Sequence, residues 1–197
     1  LPESLDKEHR RPFNWRRANP IGSLLQLRKY PKILGLIAAL IFVYIAGHAV
    51  QTNWTFFTMY KFKWTETLVG ISLGVSGFMA ALVQGYLIRF IQPKIGNEKS
   101  IFYGLSLYAV GMILFAFASE SWMMFAFLVP YGLGGIAGPA LQSVISSEVP
   151  KSEQGELQGA LASLVSLTAI VGPPLMTNTF YYFTHDSAPF IFPGAPF

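Results

Sequence analysis

Polar and apolar residues separate into blocks along this chain. After 32 largely polar residues come five runs dominated by apolar side chains, at 33–57, 67–91, 100–118, 122–146 and 157–183. A helix needs about 20 residues at 1.5 Å rise to cross a bilayer, and each run is about that long or longer. The breaks between them, at 61–64, 92–99, 119–121 and 148–156, are short, which makes consecutive helices antiparallel neighbours in one bundle. The pattern therefore predicts an all-α polytopic membrane protein.

The first run is not uniformly apolar. Positions i, i+4, i+7 and i+11 share one helix face, and here they hold Tyr44, His48, Gln51 and Thr55. The opposite face is Leu, Ile, Val and Phe. Polar groups inside a membrane line a path or pair with neighbouring helices, so this stripe reads either as the wall of a cavity or as hydrogen-bonding glue. A histidine in such a stripe suits proton handling. Small residues recur as well: Gly70, Gly74, Gly77, Ala81 and Gly85 in the second run, Gly134, Gly135 and Gly138 before Pro139 in the fourth, and Gly155, Gly159 and Gly172-Pro173 in the fifth. Glycine every fourth residue lets helix backbones approach closely, and an internal proline bends a helix. These positions are candidates for tight packing and for gating.

Composition agrees with the pattern. The 197 residues are 52% hydrophobic and only 12% charged, about half the charge of a soluble domain. The net charge of +4 could suggest nucleic acid, but its placement argues for a membrane. Lys7, Arg10, Arg11, Arg16, Arg17, Arg28, Lys29 and Lys32 precede the first run; Arg89, Lys94, Lys99 and Lys151 fall at breaks on the same side; only Lys61 and Lys63 fall on the other. By the positive-inside rule residues 1–32 form a cytoplasmic segment, and 184–197 are external. Trp54, Tyr60, Trp64, Trp122, Tyr181 and Tyr182 would then gather at the outer interface, and no nucleic-acid partner is expected.

With no cysteine, thiolate metal sites and cysteine nucleophiles are excluded, and no metal or other cofactor is expected. No Asp or Glu lies inside any run, so these spans supply no carboxylate relay. A rival reading takes Gly74-Val75-Ser76-Gly77 with His48 as an intramembrane serine hydrolase, in which Ser76 would need the histidine within hydrogen-bond reach.

Several motifs together resemble the tetracycline-resistance branch of the major facilitator superfamily. Leu1-Pro2-Glu3-Ser4 is similar to the start of that family's central cytoplasmic loop, and Gly70-Ile71-Ser72-Leu73 to the start of its eighth helix. GGIAGPALQS (134–143) and QGELQGALASLVSLTAIVGPPL (154–175) resemble its tenth and eleventh helices, and Arg89, Gly96 and Lys99 echo its cytoplasmic loop motif. The resemblance covers nearly the whole chain. It implies five of the six helices of the C-terminal half, helices seven to eleven, in a cell membrane. The last helix and the N-terminal six-helix half would be missing. Such proteins export drugs in exchange for protons, with the substrate held between the halves. The resemblance would then place Tyr44, His48, Gln51, Thr55 and Tyr108 at a substrate and proton cavity. Gly134, Gly135, Gly138, Pro139, Gly172 and Pro173 would serve gating and helix packing. Two departures stand out: Ala80 where the family carries a helix-eight histidine, and Tyr108 where it carries a helix-nine aspartate.

Overall fold

The computed structural model describes residues 30–197. The LPES motif, seven of the eight leading basic residues and nearly all of the expected cytoplasmic segment lie outside the described residues. Six α-helices follow: α1 (Pro31–Phe62), α2 (Glu66–Leu82), α3 (Ile88–Phe117), α4 (Ser121–Gly134), α5 (Ala137–Ser147) and α6 (Gln154–Tyr182). A π-helical turn at Val83–Leu87 joins α2 to α3, and a 3-10 turn at Lys151–Glu153 precedes α6.

Four continuous helical stretches among the described residues are long and apolar enough to cross a membrane: Ile33–Phe62, Glu66–Phe117, Ser121–Ser147 and Lys151–Tyr182. The second, at 52 residues, is far longer than one crossing requires. It folds back on itself at Gly96, whose φ of 81° and ψ of 167° break the helix. A side chain is strained at such a φ, so glycine suits the turn. The two arms return to the same depth. A Cβ built on Gly135 would meet Gln84 Nε2 at 3.8 Å, and one built on Gly134 would meet Tyr108 Cα at 2.7 Å. The expected eight-residue break at 92–99 is therefore a tight turn, tied by Gln92 Nε2 donating to Asn97 Oδ1 (2.6 Å) and Asn97 Nδ2 to Ser143 Oγ (3.2 Å).

α1 is shared by two apolar cores. Near its start Ile33, Ile37 and Leu40 pack with Leu141, Ile145, Leu157 and Leu161 of α5 and α6. Near its end Ala49, Val50, Trp54 and Phe57 pack with Val69, Met112, Phe115, Met124 and Leu128 of α2, α3 and α4. The first core lies at the end of the bundle that carries Arg89, Lys94, Lys99 and Lys151; Tyr30 Oη closes it by donating to Glu153 Oε2 at 2.6 Å. The second lies at the end that carries Lys61 and Lys63. We call these the basic and the aromatic end.

The aromatic end differs from the expectation in two residues. Tyr60, Trp122, Tyr181 and Tyr182 are exposed there, as interfacial rings should be. Trp54 and Trp64 are instead core residues, 2% and 5% exposed. Trp54 Nε1 donates to Ser72 Oγ at 2.8 Å and its ring meets Phe115 edge-on, while Trp64 Nε1 donates to Ser121 Oγ. A buried indole N–H needs such an acceptor; the first bond ties α1 to α2, and the second ties the loop after α1 to α4.

Glycine spacing identified only some of the close approaches. Gly104, Gly111 and Gly134 bring α3 against α4 and α5: a Cβ on each would sit 2.7–2.8 Å from Ala137, Tyr131 or Tyr108 backbone. Gly138, Gly155, Gly159 and the α2 glycines have nothing within 4 Å. In the fourth span the helix is interrupted at Gly135-Ile136, not at Pro139, which lies in the first turn of α5 where a missing N–H costs nothing. α6 continues as helix through Pro173 and Pro174.

Another close approach joins α1 to α6, which run in parallel. The His48 ring lies on Gly172, where a Cβ would come within 2.7 Å of His48 Cγ. Gly172→Ala should therefore destabilise the bundle by about 1–3 kcal/mol through overpacking. Adding His48→Ala should recover much of that loss, whereas Gly138→Ala should be neutral. Thermal unfolding of the four variants measures this, and additive losses for Gly172→Ala and His48→Ala would contradict the contact.

Candidate functional site

The polar stripe of α1 turns away from the aromatic-end core. Ala49, Val50, Trp54 and Phe57 are buried in that core, while Tyr44, His48 and Thr55 are half-buried and Gln51 is exposed. Tyr44, near the middle of α1, reaches across to α5, where Gln142 Nε2 donates to its hydroxyl at 3.1 Å. Its ring lines a cleft of about 360 Å³ between α1, α5 and α6, together with Gln142, Gln158 and Ser166. One turn further along, His48 rests on Gly172, so this histidine and the Gly172-Pro173 pair form one contact between α1 and α6. Among the described residues neither the His48 ring nitrogens nor the Gln51 amide makes a hydrogen bond. Thr55 offers its carbonyl to Thr58 Oγ1 at 3.3 Å.

Tyr108 does not join this group. It lies across α1, where the α1 residues Ala39, Val43 and Ala46 face it, in an apolar groove of about 450 Å³ completed by Met112, Ile113 and Phe197. Its ring stacks at a tilt on Tyr131, centroids 5.0 Å apart, and its hydroxyl lies 3.5 Å from a Cβ built on Gly47. Its backbone sits on Gly134. Tyr108 thus lies between α3, α4 and α1, in a groove on a different side of α1 from the Tyr44 cleft. Ala80 is exposed on α2.

The hydrolase reading needs His48 beside Ser76. His48 packs on α6, Ser76 lies on α2, and the described hydrogen bonds include none between them. No group of three His, Asp or Glu among the described residues could hold a metal ion.

Three polar residues of the cleft were not apparent from the sequence: Gln142, Gln158 and Ser166. Gln142 and Gln158 sit near run ends rich in other polar residues, and Ser166 reads as one more small packing residue beside Ser163, so none stood out as a site residue. The available signal was that Gln158 and Ser166 lie eight residues apart on α6, close to the same face. Asn53 is a fourth omission. It is fully buried beside the aromatic-end core, with neither Nδ2 nor Oδ1 hydrogen-bonded among the described residues. Such an amide costs about 1–3 kcal/mol.

The geometry can be set beside known proteins. The profile of the Major Facilitator Superfamily matches residues 33–197. The class C tetracycline resistance protein of Escherichia coli is 34% identical over 90% of this chain and 45% of its own length. The class E protein of Escherichia coli is 39% identical over 71% of this chain and 34% of its own. The mouse hippocampus abundant transcript 1 protein is 24% identical over 93% of this chain and 38% of its own. The chain spans less than half the length of each of these relatives. Its apolar crossing helices, its all-α bundle and the match over nearly every described residue agree: this chain belongs to the Major Facilitator Superfamily, a family of multi-pass membrane transporters and not of enzymes.

Proposed function

We propose that the complete protein is an efflux transporter of small drug-like molecules, working by alternating access in exchange for protons across a cell membrane. This chain supplies helices seven to eleven, and the rest of the length seen in its relatives supplies the other half of the substrate cavity and the last helix. The observation that carries the reading is the mid-helix polar face of α1, whose Tyr44 lines a cleft between three helices. Lipid would leave such groups unpaired; a water-filled path would not. The tetracycline resistance relatives support a drug as cargo.

Alternating access needs helices that bend at fixed places. The π-turn at Val83–Leu87, the interruption at Gly135-Ile136 and the Gly172-Pro173-Pro174 stretch provide them. The first two lie side by side, with Gln84 near Gly135. The carboxylate that couples transport to protons lies outside these spans. The basic end faces the cytoplasm, as Arg89, Lys94, Lys99 and Lys151 against Lys61 and Lys63 argue.

Expression of the whole protein in a drug-sensitive host tests this. Growth should be protected against uncharged aromatic drugs, an uncoupler should abolish the protection, and tetracycline resistance should be weak. A tetracycline–metal chelate carries positive charge, and among the described residues no carboxylate lines the cleft to receive it. Protection against no compound would sink the reading; strong tetracycline resistance would sink the substrate preference. The orientation is checked in intact cells: Asn97→Cys should be shielded from an impermeant thiol reagent and Ser187→Cys labelled, and the reverse would invert the topology.

A further inference from the structure

Two hollows flank α1 and their linings differ in kind. The groove at Tyr108 is walled by Ala, Val, Met, Ile and Phe side chains and suits acyl chains or another apolar helix. The cleft on the other side carries Tyr44, Gln142, Gln158 and Ser166. Both glutamines and the serine are exposed. An exposed amide facing hydrocarbon has no partner for its N–H and C=O groups, so this surface meets water or a polar ligand.

The hydrogen-bonding capacity left over is mixed in sign. Tyr44 accepts from Gln142 Nε2, which leaves the phenolic proton free to donate. Ser166 Oγ donates to Ala162 O at 2.9 Å, which leaves its lone pairs free to accept. Gln158 Nε2 makes only a long 3.5 Å contact with Ser146 Oγ, and the Oε1 atoms of both glutamines remain acceptors. Among the described residues no Asp, Glu, Lys, Arg or His lines the cleft, while Leu40, Leu161 and Val165 give it apolar walls. A cation there would lack a carboxylate and an anion would lack a guanidinium. At about 360 Å³ the cleft falls within the usual size of small-molecule sites.

We propose that this cleft is a binding subsite for uncharged, ring-bearing molecules that carry hydroxyl or amide groups, with Gln142 and Gln158 setting the selectivity. The assignment deepens the transporter reading and rests on it for the direction of transport, but not for binding. Gln142 bridges to Tyr44 and so fixes the phenol; Gln158, toward the basic end, offers a second amide about 12 Å along α6 from Ser166 by the helical rise.

The test is equilibrium dialysis of the purified full-length protein against radiolabelled chloramphenicol, an uncharged aromatic amide with two hydroxyls, and separately against tetraphenylphosphonium, a bare lipophilic cation. Gln142→Met and Gln158→Met should each weaken chloramphenicol binding about three- to tenfold, the worth of one neutral hydrogen bond. Tetraphenylphosphonium binding should not change, and Ser106→Ala on α3 should behave as wild type. No chloramphenicol binding, or binding indifferent to both glutamine variants, overturns the proposal. If either variant fails to fold, Ser166→Cys decides: chloramphenicol should slow its modification by N-ethylmaleimide, and an unchanged rate overturns the proposal. Binding that needs both glutamines, in a protein that extrudes no drug from cells, would keep the subsite and reject the transporter. Extrusion of chloramphenicol unaffected by either variant would do the opposite.

Discussion

α1 has to bury different faces in its two halves, and the rest of the bundle is arranged around that requirement. Toward the basic end Ile33, Ile37 and Leu40 seal against α5 and α6; toward the aromatic end Ala49, Val50, Trp54 and Phe57 seal against α2, α3 and α4. The buried stripe therefore swings around the helix near its midpoint. Where it swings, a polar face is left at the edge of the basic-end core, with Tyr44 packed against that core and His48 and Gln51 beyond it. Polar side chains are tolerated there because α5 and α6 stand opposite, with Gln142 to pair Tyr44 and with Gly172 to admit the His48 ring. The site thus follows from how one helix divides its packing between two sets of partners.

The same division sets what is rigid and what can bend. Gly104, Gly111 and Gly134 lock α3 onto α4 and α5 at backbone distance, and Trp54–Ser72 and Trp64–Ser121 tie α1 to α2 and the following loop to α4. These contacts lie mainly around the aromatic-end core. The helical irregularities at Val83–Leu87 and Gly135-Ile136 sit beside one another at mid-depth, below that core. A bend there would move the basic-end halves of two helices together while leaving the tryptophan ties intact.

Hydropathy and short breaks carried most of the architecture, because a bilayer imposes length and polarity on every span. The turns at 61–64, 119–121 and 148–156 appear where composition changes. What one helix's periodicity cannot give is the azimuth of its neighbours. Tyr108, which the family resemblance sets with Tyr44, accordingly lies on a different side of α1 from it in the fold. Trp54 and Trp64 misled for a related reason: interfacial tryptophans and buried ones paired to a serine look alike until Ser72 and Ser121 are placed. The Gly134-x-x-x-Gly138 spacing suggested a helix seam, yet only Gly134 is pressed. Small residues permit close approach without specifying which of them will be used. Gln158 and Ser166 share a face of α6, but Gln142 joins them from α5, a pairing that no single helix's pattern could announce.

The central claim is that the far face of α1 meets water while its other faces meet protein or lipid. Thiol accessibility along α1 tests it most directly, since this chain contains no cysteine to interfere. Single cysteines at positions 42 to 57 of the full-length protein in native membranes would be reacted with a small charged methanethiosulfonate. The account predicts modification at Tyr44→Cys, Gln51→Cys and Thr55→Cys, and little at the exposed apolar positions Phe42 and Phe56 or the buried positions Ala49 and Phe57. Equal reactivity at Phe42 and Gln51, or protection along the whole Tyr44–Thr55 face, would contradict it.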